Sequence, residues 1–226
     1  MENYPNYKTF CNILIHEIGH LLIDMIIEDE YDSFSIIGIE LCYNTRIIFP
    51  EKGALKYVDL EFAPNSTTVI RQEYYKSLVN NGSSNRVKLT QICLLFGSLF
   101  RCVFANFPSY MSFGSILKEE GKCDLESFKE LCSFQGVDYN DYFSEKLFHE
   151  YFENIVAKII ENLRQEIVEF VNKNYELFNS REKTKNYMKE SYNVIGVDEL
   201  KVKIKSLDNY KEFVEIVKKY SFNTNI

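Results

Sequence analysis

Apolar residues recur at helical spacing along most of the chain, and the spacing changes in one region near the N-terminus. The helical spacing predicts an N-terminal helix over 9–28 and a very apolar core helix over 86–107. It also predicts a short helix over 124–132 and one long helix over 142–179. Ser66 or Thr67 is a suitable N-cap for a further helix that runs to about Asn80. Residues 109–122 have no clear periodicity and predict a loop.

Short β-prone runs separate the first helix from the core helix. They cover 34–39, 46–49 and 55–62, and the last alternates apolar with polar residues as a half-buried strand does. The segment 183–222 predicts two or three short elements. The predicted fold class is therefore mainly α with a small β-sheet (α+β). We expect one domain over 1–180 and a helical extension, 181–226, packed on that domain.

Composition narrows the possible partners and compartments. The chain has 226 residues, 46% of them hydrophobic, and a formal net charge of −7, which argues against nucleic acid as a partner. The first ten residues do not resemble a signal peptide, and the apolar stretch from Ile13 to Ile27 is expected to be too short and too charged to span a membrane. The six cysteines form no CxxC pair and are expected to be free thiols. These features predict a cytoplasmic protein.

One short motif in the first helix carries the chemistry. His16-Glu17-Ile18-Gly19-His20 matches HExxH, in which the i, i+4 spacing places both imidazoles on one helix face. Chance would produce this motif in only about four of a thousand chains with three histidines. Imidazole nitrogens suit Zn²⁺, and Glu17 is the candidate general base. The motif therefore predicts a zincin-like metalloprotease domain with the metal-binding helix near its N-terminus.

The motif and the order of elements after it resemble the peptidase domain of FtsH-type ATP-dependent zinc metalloproteases. That family has strands, then an apolar helix with a glycine signature, then a glycine-containing segment ending in Asp-Leu. The corresponding segments here are Leu95-Phe96-Gly97-Ser98-Leu99 and Gly121-Lys122-Cys123-Asp124-Leu125. The resemblance implies that Asp124 is the third zinc ligand, beside His16 and His20. It covers residues 10 to about 180 and does not include an ATPase module or a membrane segment.

The sequence also leaves alternatives for the third ligand. Asp124 is also suited to cap the helix that follows it. Other candidate ligands are Glu119, Glu120, Glu126 and His149, although a lone helical histidine is usually a solvated or boundary residue. This chain also departs from the FtsH-type pattern, since it has a single glycine in the signature helix and Phe100-Arg101 where acidic residues are expected.

A second resemblance is to the ImmA/IrrE-type metallopeptidases. The string Leu14–Ile23 is similar to theirs, but Cys102–Phe107 matches only part of their downstream pattern and lacks its Glu. The sequence therefore predicts a zinc metallopeptidase that cuts peptides or unfolded protein segments, with strand 55–62 as a candidate for pairing with substrate. A separate ATPase or a homo-oligomer is a possible partner. The alternative hypotheses are a catalytically silent, metal-stabilised binding or regulatory protein and an ImmA/IrrE-like regulatory metallopeptidase.

Overall fold

The computed structural model describes residues 7–31, 36, 38–48, 57–61, 76, 78–80, 83–107, 109–180 and 189–222. Helices dominate these residues, as the sequence predicts. The helices are α1 (Tyr7–Glu30), α2 (Ser84–Phe104), α3 (Tyr110–Glu119), α4 (Lys122–Phe134), α5 (Tyr139–Tyr142), α6 (Glu145–Asn179), α7 (Val197–Lys205) and α8 (Tyr210–Lys219), and the strands are β1 (Glu40–Ile48), β2 (Tyr57–Glu61) and β3 (Lys189–Asn193).

The three strands form one antiparallel sheet in the order β2-β1-β3. Thr45 of β1 is paired with Leu60 of β2, and Leu41 of β1 is paired with Tyr192 of β3. The strand predicted over 55–62 is confirmed over Tyr57–Glu61, the part of it that the structure describes. The strand predicted over 34–39 is not observed at residues 36, 38 and 39, because β1 begins only at Glu40.

Helices α1 and α2 cross at two glycines and form the centre of the hydrophobic core. A Cβ on Gly19 would lie only 2.7 Å from Cβ of Phe100 and 2.8 Å from Cα of Gly97. Side chains at these two positions would therefore force the helices apart. Because neither position has one, the backbone of α2 lies directly against the helix face that carries the motif.

Residues 109–122, which the sequence predicts to be a loop, contain helix α3. Ser109 caps it by accepting a hydrogen bond from the backbone N–H of Ser112 (3.2 Å). Phe113, Ile116 and Leu117 are buried and form an apolar face that extends over about one turn of the helix. The sequence pattern missed it because the helix is short, with only ten residues, and a glycine interrupts the apolar face.

Helix α6 is the longest element and packs against α1, α2 and α3. It covers 35 residues, and its bounds agree with the predicted range 142–179 apart from a separate turn, α5, at the start. The buried face contains mostly large apolar side chains, including Phe148, Phe152, Ile159 and Leu163. Only residues 76 and 78–80 of the helix predicted to end near Asn80 are described, and they are helical.

The C-terminal segment is built into the same core. It contains helices α7 and α8, but also strand β3, which the prediction of a helical extension did not include. The β3 sequence is short and mostly polar and gives little strand signal. On α8, Phe213 is fully buried, and its ring lies 5.7 Å from the ring of Phe96 on α2.

Three ion pairs join the C-terminal end of α1 to α7 and α8. Glu28 pairs with Lys201 (2.7 Å), Asp29 with Lys205 (2.6 Å) and Glu30 with Lys218 (2.5 Å). This acidic run therefore connects α1 to α7 and α8.

Helices α1 and α2 are each long and apolar enough to cross a membrane by length and composition. The stretch 13–27 was predicted to be too short for this, but the helix that contains it has 24 residues. In the most apolar 18-residue window of each helix, 67% and 72% of the residues are buried inside the protein, a degree of burial also found in the core helices of soluble proteins. The cytoplasmic location and the absence of a membrane partner stay predictions.

Candidate metal centre

The structure brings His16, His20 and Asp124 together at the junction of α1 and α4. The Nε2 atoms of the two histidines lie 2.9 Å apart, and Oδ2 of Asp124 lies 2.9 Å from Nε2 of His16 and 3.4 Å from Nε2 of His20. This is the one group of three potential ligands found among the described residues. The side chains are 12%, 14% and 21% exposed, so the site is close to the surface but sheltered.

The spacing of the three donor atoms fits a tetrahedral metal. With bonds of about 2.0–2.2 Å, neighbouring ligand atoms of a tetrahedral Zn²⁺ lie about 3.3–3.6 Å apart. The separation of 3.4 Å between His20 and Asp124 lies within this range. The two separations of 2.9 Å are shorter than this by about 0.4–0.7 Å. A small outward movement of the side chains would therefore provide three of the four ligands that a catalytic zinc site needs.

Gly97 of α2 lies directly against the two imidazoles. A Cβ at this position would lie 2.7 Å from Nε2 of both His16 and His20. The missing side chain leaves space beside the two nitrogens at which a cation would be bound.

A backbone contact fixes the orientation of His20. Its Nδ1 lies 2.7 Å from the carbonyl oxygen of Cys93, and since a carbonyl only accepts, Nδ1 carries the proton and donates. In the neutral imidazole, Nε2 then has a lone pair directed toward His16 and Asp124. A second hydrogen bond of this kind is a typical feature of metal-binding histidines.

The charges at the site favour a cation between the three side chains. Burial lowers the pKa of His20, but the adjacent carboxylate of Asp124 more than offsets this and holds the pKa well above its ordinary value. Burial raises the pKa of Asp124, while His20 and His16 lower it, and the balance holds it well below the usual range of a carboxyl group. Asp124 is thus a carboxylate at neutral pH and needs a positive partner at this site.

Asp124 does not cap its helix. The N-cap of α4 is Gly121, and Asp124 is the third residue of the helix, within its first turn. The capping role that the sequence left open for Asp124 is therefore wrong. The positive end of the helix dipole stabilises a carboxylate at this position, while its side chain remains directed at the histidines.

The other candidate ligands lie outside the cluster. Glu120 pairs with Arg101, Glu126 faces Lys122 at 3.8 Å, and Glu119 is solvent-exposed. His149 is only 2% exposed, so the expectation of a solvated or boundary residue is wrong. Its Nδ1 lies 3.5 Å from a carboxylate oxygen of Glu153. Within the described part of the chain, Asp124 alone joins the histidines.

Glu17 follows His16 on α1 and is half-buried. No hydrogen bond or ion pair joins its carboxylate to another residue among those that the structure describes. Such a group is available for the general base role that the motif predicts. Strand β2, the predicted partner for substrate, lies at an edge of the sheet formed by the described strands.

Sequence reasoning missed two residues behind His20. The thiol of Cys93 donates to Oδ1 of Asp24 at 3.3 Å, and Asp24 follows His20 by one further helical turn. Burial raises the pKa of the Cys93 thiol to about 12, so it is a neutral donor. The i+4 spacing of His20 and Asp24 is visible in the sequence. The hydrogen bond from His20 to the Cys93 carbonyl is not, because every residue has a backbone carbonyl.

The five cysteines at 11, 93, 102, 123 and 132 are free thiols, as expected. The partial ImmA/IrrE-like string lies at the end of α2 and in the following turn, where Oδ1 of Asn106 accepts a hydrogen bond from Arg164.

Comparison with known proteins adds no assignment: no protein-family model, no curated protein and no solved structure matches the chain.

Proposed function

We propose that this protein is a zinc-dependent metallopeptidase in which His16, His20 and Asp124 bind the metal. The observation that carries the proposal is the convergence of two imidazole nitrogens and one carboxylate oxygen within 3.4 Å of one another. Two nitrogen ligands and one oxygen ligand are the donor set of several catalytic zinc sites, which keep the fourth position open.

When bound, zinc would polarise a peptide carbonyl and lower the pKa of a water molecule to about 7. Glu17 would accept the proton of the attacking water and pass it to the leaving amine. Cys93 would hold His20 in its metal-binding orientation through the backbone contact of 2.7 Å.

The proposed substrates are peptides or unfolded protein segments. An extended chain can pair with the free edge of a β-sheet through backbone hydrogen bonds, and β2 provides such an edge in the described sheet. The resemblance to FtsH-type peptidases supports this substrate class. A separate ATPase or a homo-oligomer that delivers substrate belongs to the same proposal.

A comparison of the wild type with Glu17→Gln tests the catalytic part of the proposal. Both proteins are loaded with zinc, the bound metal is measured, and cleavage of a fluorogenic peptide library and of casein is followed. We expect equal zinc content and a rate at least about 100-fold lower for the variant, the usual contribution of a general base. Glu126→Gln, which changes an exposed carboxylate of α4, is the matched control and should cleave normally.

Equal, near-zero rates in the wild type and in Glu17→Gln would contradict an enzymatic role. If both proteins also bind zinc, the result would favour a metal-stabilised binding or regulatory protein instead. Absence of zinc from the wild type would contradict both interpretations.

A further inference from the structure

Helix α2 touches both of the elements that provide the proposed ligands, through two consecutive residues. Gly97 lies against His16 and His20 of α1. Ser98, the next residue, lies against Gly121, which precedes α4 and its ligand Asp124. Because consecutive helical residues point about 100° apart, one turn of α2 contacts both α1 and the start of α4.

The contact between Ser98 and Gly121 is very close. A Cβ built on Gly121 would overlap the Ser98 hydroxyl oxygen, whereas its next neighbours, the carbonyl oxygen and Cα of Leu117, would lie 3.3 and 3.4 Å away. Ser98 is fully buried, so rotation of its hydroxyl would bring it into other packed atoms. The hydroxyl is thus the main obstacle to any side chain at position 121.

The hydroxyl of Ser98 is also unusual in having no hydrogen-bond partner within the described residues. A buried polar group without a partner is unfavourable for folding. It therefore needs a reason other than a hydrogen bond, and its contact with Gly121 supplies one. Asp124 is only three positions after Gly121, so a shift of the α4 start would move the carboxylate.

We propose that Ser98 and Gly121 are positioning residues whose contact sets the distance from Asp124 to His16 and His20. This inference rests on the proposed zinc site. The Ser98 hydroxyl occupies the space that a side chain at position 121 would need. Helix α4 therefore begins as close to α2 as this pair of residues allows. Enlarging position 121 moves Asp124 away from the histidines, and removing the hydroxyl allows it to return.

Four full-length proteins test the proposal: the wild type, Gly121→Ala, Ser98→Ala and the double variant. Zinc affinity is measured by competition with a chromophoric chelator, and the visible absorption of bound Co²⁺ reports the ligand geometry. We expect Gly121→Ala to bind zinc at least about tenfold more weakly, with an altered Co²⁺ spectrum. Ser98→Ala removes the other half of the contact and should bind zinc about threefold more weakly. The double variant should regain most of the affinity lost in Gly121→Ala, together with the wild-type spectrum.

The matched control is Gly114→Ala on α3, whose new methyl group would meet only the carboxylate end of Glu145. It should bind zinc as the wild type does. If Gly121→Ala does not fold, the double variant should still fold and bind zinc. Unchanged affinity in Gly121→Ala would overturn the proposal, and so would a double variant that fails to fold or is no better than Gly121→Ala. Absence of zinc binding by the wild type would instead contradict the proposed function itself.

Discussion

Replacement of Gly97 on α2 by alanine tests how closely this helix packs against the two histidines of α1. The added methyl carbon would lie 2.7 Å from Nε2 of both His16 and His20. An ordinary contact between such atoms is about 3.5 Å or longer, so the two nitrogens would have to move by about 0.8 Å or more. Metal–ligand distances in zinc sites lie within about 0.2 Å of their usual values, so a displacement of this size is large for the site.

The cost of this overlap can be estimated from the effect of added methyl groups in packed interiors, about 1–3 kcal/mol. If the cost falls on the metal-bound state, zinc affinity decreases by about 5- to 150-fold. The stability of the metal-free protein should change less. Alanine is favoured over glycine within a helix by about 0.5–1 kcal/mol, which offsets part of the overlap.

The assay combines zinc competition titration with denaturant unfolding of the metal-free protein. We expect Gly97→Ala to lose zinc affinity by a larger free energy than it loses stability. Zinc affinity equal to that of the wild type would refute the position of Gly97 against the two imidazoles. An equal loss in both measurements would show general destabilisation rather than a local effect on the site.

Three further predictions concern His149, the ion pairs of α1 and the C-terminal helices. His149→Phe should bind zinc with the wild-type stoichiometry, whereas His20→Ala should lose the metal. The thermal stability of His149→Phe should be unchanged or higher, because the substitution removes the buried Nε2, which has no hydrogen-bond partner among the described residues. Burial raises the pKa of Glu28, but Lys201, the backbone N–H of Ile36 and the charge of Lys205 together lower it more. These contacts therefore stabilise the fold above the ordinary pKa of about 4.5, and less as pH falls through the lowered value. Because solvent screens this pair, urea unfolding should show Glu28→Gln only about 0.5–1 kcal/mol less stable at pH 7, with a smaller difference below about pH 4. Phe213→Ala should cost about 3–5 kcal/mol in the same assay, and a cost under about 1 kcal/mol would contradict its place in the core.

The local features of the fold and site followed from sequence because they depend on spacing within one element. The i, i+4 pair of His16 and His20 is such a feature, and so are the periodic apolar faces of α2 and α6. Asp124 was suggested only by resemblance, and the structure now places its carboxylate beside both imidazoles. Its role as a zinc ligand stays a prediction.

The remaining features depend on contacts between distant segments, which a single sequence does not reveal. Strand β3 is assigned only because it pairs with β1, since its own residues are mostly polar. The carbonyl of Cys93 that orients His20 is a backbone group and has no sequence signature. The contact of Ser98 with Gly121 becomes visible only when α2 and α4 are packed together.

The central claim is that His16, His20 and Asp124 together bind one zinc ion. Inductively coupled plasma mass spectrometry of the purified protein, before and after dialysis against zinc, tests it most directly, with Asp124→Asn as the matched variant. We predict about one zinc per chain in the wild type and little or none in Asp124→Asn, which keeps the size of the side chain but removes its charge. A wild-type protein without zinc, or an Asp124→Asn protein that binds zinc equally tightly, would contradict the claim.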